Sequence, residues 1–321
     1  MTGLRYDPEY FKAIGSPAKG PRADPPQTVH ELRSGIESTI HHVVTNSPYP
    51  PGVKETVYTV KSYDGAEIEV TRFACEETLA SKEPTPAVVY FHGGGFVACT
   101  VPPFAPQIAR FADAAQLPYF AVDYRLAPEY PAPAALEDAW AALQFVSQSA
   151  AELNVDPSKI VLYGDSAGGG LAAGVALMAR DRQLDPPIAK QLLIYPMLDD
   201  RYKLKNDDPY MEVLSMRPAG AKVAWDAYLS ELRRGGDEQT LSYAVPARAS
   251  TLRDLPATYI DVGSLDLFRD ESLKYANRLA DEHVEVEFHL WPGLPHGFDG
   301  LRDLSWFTRA TESRVSALKR I

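Results

Sequence analysis

The sequence predicts an α/β fold, a mostly parallel central sheet flanked by helices, and three observations carry that reading. Short runs that are apolar on both faces recur along the chain: AVVYF (87–91), YFAVDY (119–124), IVLYG (160–164), QLLIYP (191–196), TYIDVG (258–263) and VEFHLW (286–291). Such runs suit strands buried on both sides, as in parallel sheets. They alternate with helical patterns at 134–149, 167–182 and 270–282, the rhythm of helices packed on both faces of one sheet. Finally, a Gly-rich turn, GDSAGGG, joins one of those runs directly to one of those helices.

Taken in order, residues 1–50 mix short amphipathic stretches with Pro-rich breaks and read as an N-terminal arm contributing to a cap. Residues 51–321 read as the main domain. That domain opens with ETVYTVKS and AEIEVTRF, both alternating, and Asp64-Gly65 between them signals a turn, so a β-hairpin is expected at the start of the sheet. The interval at about 199–247 breaks the α/β rhythm with the charged stretch DDRYKLKNDD and an aromatic segment containing Trp225 and Tyr228. Excursions of this kind lie beyond the carboxyl ends of the strands, where ligands bind, and this one is expected to be a helical cap insertion.

Composition narrows the function. The chain has 321 residues, 45% hydrophobic and 23% charged, enough for a sizeable core. Its net charge of -11 repels phosphate backbones and anionic headgroups, which argues against nucleic acid and membrane surfaces as partners. The N-terminus lacks the apolar core of a signal peptide, and only two cysteines occur, Cys75 and Cys99, so a cytoplasmic location is expected. No Cys/His/carboxylate cluster has metal-ligand spacing, and no metal or cofactor is implied. The adjacent His41 and His42 point to different faces of any regular element and read as surface residues.

Two motifs carry chemistry. In IVLYGDSAGGG, Gly164, Ser166 and Gly168 form G-x-S-x-G between a predicted strand and a predicted helix, the context in which a sharp turn exposes the serine hydroxyl above the sheet. A phosphate-binding turn would instead show G-x-G-x-x-G or Gly-Lys-Ser/Thr. A serine alcohol needs a base to take its proton, and the base needs a carboxylate to orient it. Of seven histidines, His296 lies in a Pro/Gly-bounded loop, WPGLPHGF, just after the last predicted strand, where a side chain can reach back over the sheet. The segment TYIDVGSLDLFRDE offers Asp261 within a strand, Asp270 and Glu271 at a helix start, and Asp266 in the loop between. The order Ser166, Asp266, His296 is that of the α/β-hydrolase fold, and not of either serine protease type. The second motif is YFHGGGF, Tyr90 to Phe96. A glycine turn can bring N–H groups close to an oxyanion formed on attack by Ser166; Gly94 and Gly95 are the expected donors, joined by Ala167, with His92 shaping the loop.

These motifs together resemble the hormone-sensitive-lipase-like family of α/β-hydrolases, which includes microbial carboxylesterases and arylacetamide deacetylases. The likeness covers most of 55–321: HGGGF, then VDYRLAPEYPAPAALEDAW, GDSAGG, DLFRDE and YANRLADEHVEVEFHLWPGLPHGF. It implies Ser166, Asp266 and His296 as the catalytic residues, an oxyanion hole around Gly93, Gly94, Gly95 and Ala167, structural roles for Asp165, Asp123, Arg125 and Glu129, and a cap from the arm and the insertion after the Tyr195 strand. Phe96, Tyr195 and Trp225 are the expected pocket residues. The sequence departs from the family at Ala98 and Cys99, where Gly or Ser is frequent, and in PAPAA, where PFPAA is commoner; Cys99 is expected near the pocket wall. The resemblance implies a carboxylesterase for short- to medium-chain acyl esters, using no cofactor. An amide or formamide hydrolase or a biosynthetic deacetylase uses the same machinery. A receptor on the same fold loses the catalytic histidine, which LPHGF keeps, and a dehydratase variant carries threonine where Ser166 stands. A homodimer is the assembly carried over from related enzymes.

Overall fold

The computed structural model describes residues 4–15, 25–44, 48–201, 204–205, 207–302 and 304–321; parts of the predicted arm and insertion, and the side chain of His42, lie outside the described residues. Eight strands form one sheet: β1 Val53–Lys61, β2 Glu67–Cys75, β3 Thr85–Phe91, β4 Tyr119–Asp123, β5 Val155–Asp165, β6 Lys190–Ile194, β7 Ala257–Leu265 and β8 Val286–Pro295. Their order is β1-β2-β4-β3-β5-β6-β7-β8. The predicted hairpin is present, with Val60 opposite Ile68 and Gly65 in the left-handed region at the turn. β2 runs antiparallel to β4, and every pairing from β4 through β8 is parallel.

Because crossover helices cover both faces, the central strands carry apolar side chains on each side. Val88, Val89, Tyr90, Phe91, Leu162, Tyr163, Leu192 and Leu193 are all buried. The expected helices occupy Ala134–Gln148, Ala167–Asp181 and Arg269–Asp281. Sequence reading assigned nothing to the Val101–Ala115 helix, which starts with Pro102 and Pro103, positions whose missing N–H groups cost nothing in a first turn. It closes on Gln116 in the left-handed conformation.

Between β6 and β7 the chain forms a 3-10 turn, Pro209–Glu212, and three helices, Pro218–Tyr228, Leu232–Gly235 and Glu238–Ala244. The arm contributes Pro8–Ile14 and Val29–Val44. Val29–Val44 packs against Pro218–Tyr228, and both reach the glycine turn: a Cβ on Gly95 would lie 3.4 Å from Ala224 Cβ and 3.8 Å from Ile36 Cδ1. Among the described residues no helix is long and apolar enough to cross a membrane.

Candidate active site

Ser166 sits at the turn from β5 into the Ala167–Asp181 helix with φ 55° and ψ -118°, a conformation costly for a side-chain-bearing residue. Its backbone is held on the neighbouring strand exit: the Ser166 N–H donates to the Ile194 carbonyl at 2.9 Å, and its carbonyl accepts from Met197 N–H at 2.9 Å. The turn closes only because Gly168 has no side chain. A Cβ there would fall 2.0 Å from the Phe91 carbonyl oxygen, inside the end of β3, so the G-x-S-x-G spacing is a steric requirement.

The three residues expected to act together converge. Ser166 Oγ lies 3.0 Å from His296 Nε2, and His296 Nδ1 lies 2.9 Å from Asp266 Oδ2. A carboxylate only accepts hydrogen bonds, so Nδ1 carries the proton and Nε2 is left to accept from the serine hydroxyl. Asp266 is fully buried, and its second oxygen accepts from Phe268 N–H at 2.8 Å. Burial by itself would lower the His296 pKa, but the adjacent Asp266 carboxylate, through charge and hydrogen bond, outweighs it and leaves the imidazole above the ordinary 6.5.

Facing the serine, the glycine turn is tied down from behind. Asp165 accepts from the Tyr90 hydroxyl at 2.5 Å and from Gly93 N–H at 3.0 Å; burial pushes this carboxyl up to about 6. The Gly93 N–H is therefore engaged, unlike the N–H groups of Gly94, Gly95 and Ala167, which find no protein acceptor among the described residues. Gly94 takes φ +129°, and its carbonyl accepts from Val97 and Ala98 N–H, which rolls the turn up. His92 has the shaping role expected of it. Its Nδ1 is 2.6 Å from the Gly93 carbonyl, its ring stacks on Tyr124 at 4.4 Å, and burial lowers its pKa to about 4, so it stays neutral and fixed. Cys99 is buried against this turn, 3.5 Å from where a Gly94 Cβ would stand.

The expected pocket residues divide. Phe96 stacks on Tyr228 at 4.1 Å and meets Trp225 at 5.3 Å, forming a closed aromatic cluster beneath the Pro218–Tyr228 helix. Tyr195 does something else: its hydroxyl donates to Asp299 at 2.8 Å, and its ring stands edge-on to His296 at 4.8 Å. Of the expected structural residues, Arg125 binds the fully buried Asp138 with its backbone N–H and its guanidinium, and Glu129 accepts from Arg33. Asp123 accepts from Val101 N–H at 3.4 Å.

Several contacts at the site have no motif to announce them. Tyr210 donates its hydroxyl to the Asp266 carbonyl at 2.6 Å, and Ser215 donates to the His296 carbonyl at 3.0 Å. The insertion thus grips the loops of both the carboxylate and the imidazole. From the arm, Arg33 donates to the Val97 carbonyl at 2.6 Å and the Ala127 carbonyl at 3.0 Å. Pro209, which opens the 3-10 turn at 209–212, and the capping Asp208 are the local hints of Tyr210; Arg33 sits on an amphipathic helix with no sign of its targets.

Comparison with known proteins agrees with this fold. The family defined by the alpha/beta hydrolase fold matches residues 88–300. Esterase LipI of Mycobacterium tuberculosis is 37% identical over 252 residues, 78% of this chain and 77% of the relative. Carboxylesterase NlhH of the same species is 37% identical over 219 residues, 68% and 67% of the two chains. Among solved structures, a bacterial heroin esterase superposes with a TM-score of 0.86 at 31% identity, covering 98% of each chain.

Proposed function

The chain belongs to the α/β-hydrolase fold family, in its hormone-sensitive-lipase-like branch, and is a carboxylic ester hydrolase; from that premise we propose that it cleaves short- to medium-chain acyl esters through Ser166, His296 and Asp266 and an acyl-enzyme. The observation that carries the proposal is the unbroken relay of 3.0 Å and 2.9 Å contacts from Ser166 Oγ through the imidazole to a buried carboxylate.

In the proposed reaction Ser166 Oγ attacks the acyl carbon while His296 Nε2 takes its proton. The carbonyl oxygen becomes an oxyanion and receives the N–H groups of Gly94, Gly95 and Ala167, each such donor being worth roughly 3–4 kcal/mol in the transition state. His296 then protonates the leaving alcohol, and a water attacks the acyl-serine with His296 again as base. Asp266 keeps the proton on Nδ1 and favours the imidazolium as it forms.

Residues 1–50 and about 199–247 are proposed to form the cap over this centre. The closed Phe96, Tyr228 and Trp225 cluster supports a shallow acyl pocket. A cytoplasmic location and a homodimer remain proposals from sequence and resemblance; sedimentation velocity tests the latter.

A p-nitrophenyl ester series from acetate to palmitate, with an acetanilide beside it, tests the whole reading. Wild-type turnover is expected to peak at short chains and exceed amide cleavage, and Ser166→Ala, melting near the wild-type temperature, is expected to lose on the order of 10⁴-fold or more in kcat. The same substrate followed against pH gives the sign for the base. The reactive imidazole is neutral, so kcat/KM falls as pH drops through its pKa, and that limb is expected above 6.5 because Asp266 favours the protonated form. Turnover surviving in pure Ser166→Ala protein would exclude this nucleophile.

A further inference from the structure

Next to the ring that packs on His296 lies a second ionic group that the proposed reaction does not use. Arg314, on the C-terminal helix Ser305–Leu318, is almost completely buried. Its Nε and one terminal nitrogen donate to both oxygens of Asp261 at 2.7 and 2.9 Å, and its other terminal nitrogen donates to Asp299 at 2.6 Å. Asp261 is fully buried and also accepts from the Tyr259 hydroxyl at 2.9 Å. One guanidinium thus serves two carboxylates, and the group keeps a net charge of -1 away from water.

Such a group is a poor stabiliser of the fold, because desolvating three charges offsets most of their attraction. Its position suggests what else it does. Asp299 stands three residues after His296, and its remaining oxygen accepts from the Tyr195 hydroxyl at 2.8 Å. Tyr195 is clamped at both ends: its N–H donates to the Asp261 carbonyl at 2.7 Å, and it holds φ +35°, an unfavourable conformation for a tyrosine. Between those clamps its ring meets the imidazole edge-on at 66°, while Phe268 meets it at 87° from a ring centre 5.1 Å away.

We propose that Asp299 is a positioning residue for His296, acting through Tyr195 and anchored by Arg314 and Asp261: the brace fixes the ring against which the imidazole rests, and its excess negative charge favours the imidazolium formed during ester cleavage. The proposal rests on His296 being the base. The charged groups facing that imidazole are Asp266 from the loop after β7, Asp165 from the end of β5 and Asp299 from its own loop, and all three favour its protonated form. Asp299 in turn faces Arg314 and Tyr195, with Tyr10 and Asp165 in its field.

The test uses Asp299→Asn and Tyr195→Phe in the full chain, assayed on p-nitrophenyl acetate across pH, with melting temperatures and Ser166→Ala alongside. Asp299→Asn keeps an acceptor for Tyr195 but removes the charge. Its plateau kcat is expected to fall about tenfold, equivalent to about 1.4 kcal/mol, with KM nearly unchanged and the acid limb of kcat/KM moved to lower pH. Tyr195→Phe keeps every charge; its kcat is expected to fall severalfold with the acid limb in place. A purely structural brace would lower the melting temperature and leave that limb where it was in both variants. Wild-type kcat and an unmoved limb in folded Asp299→Asn would overturn the proposal, and if that variant does not fold, wild-type kcat in Tyr195→Phe does so. Inactive Ser166→Ala beside fully active brace variants would sink this inference alone, whereas active Ser166→Ala would sink the reading it rests on.

Discussion

The floor of the site and its proposed cap are held by different kinds of contact. On the floor, Ser166 is fixed by backbone hydrogen bonds to Ile194 and Met197 and by the approach of Gly168 to the end of β3. Asp266 and His296 stand on loops leaving adjacent strands, β7 and β8. The arm and the insertion, by contrast, are fastened by side chains: Arg33 on two carbonyls and Glu129, Tyr210 on Asp266, Ser215 on His296, and Tyr6 on the Val213 carbonyl. Backbone contacts in a sheet admit almost no variation, whereas a partly exposed pair such as Arg33 with Glu129 is worth about 0–1 kcal/mol. The residues proposed to carry the chemistry are therefore mounted rigidly, and the part proposed to choose the substrate is held by contacts that single substitutions can change.

If that contrast is right, damage to the floor is all-or-none. Gly168→Ala is expected to have the largest effect, because its Cβ would sit 2.0 Å from backbone that cannot retreat; loss of about 3 kcal/mol or more of stability, with no measurable esterase activity, is the outcome to look for by thermal denaturation and assay. A well-folded, active variant would break the comparison at its strongest point.

Damage to the proposed cap should instead be graded. Trp225→Ala opens the aromatic cluster above Phe96 and is expected to move the acyl optimum to longer chains, with the melting temperature lowered by several degrees, in line with about 3 kcal/mol for a large-to-small change in a partly adaptable site. An unchanged acyl profile would remove Trp225 from the pocket. Smaller still is Arg33→Met, which keeps the apolar stem and deletes the bonds to Val97, Ala127 and Glu129. A fall of about two- to tenfold in kcat/KM, with little change in melting temperature, would sharpen the view that the arm tunes the glycine turn from outside; an effect as large as that of Gly168→Ala would place Arg33 with the floor.

Local pattern was enough for the strands, since residues apolar on both faces can only be buried in a covered sheet, and it singled out Ser166, Asp266 and His296, which the fold brings within hydrogen-bond distance of one another, since a turn without room for side chains and loops at strand ends leave few alternatives. It also gave His92 its shaping role. It did not announce the bond from Tyr195, expected in the pocket wall, to Asp299, because nothing near IYP reveals a partner 104 residues away. It did not foresee the engaged Gly93 N–H either, since the Asp165 oxygen that takes it comes from another strand.

What the sequence by itself determined is the order of elements, the sharp turn at Ser166, the glycine turn and the loops that carry the proposed acid and base, all set by backbone sterics and short-range periodicity. Only the tertiary structure decided the company these residues keep. It brought the C-terminal Arg314 between Asp261 and Asp299, the insertion's Tyr210 and Ser215 onto the Asp266 and His296 loops, and the arm's Arg33 onto the glycine turn. The physical reason is range: a steric rule acts between neighbours in the chain, whereas a buried charge or hydroxyl is satisfied by whatever the fold delivers, and no spacing in the sequence records that delivery.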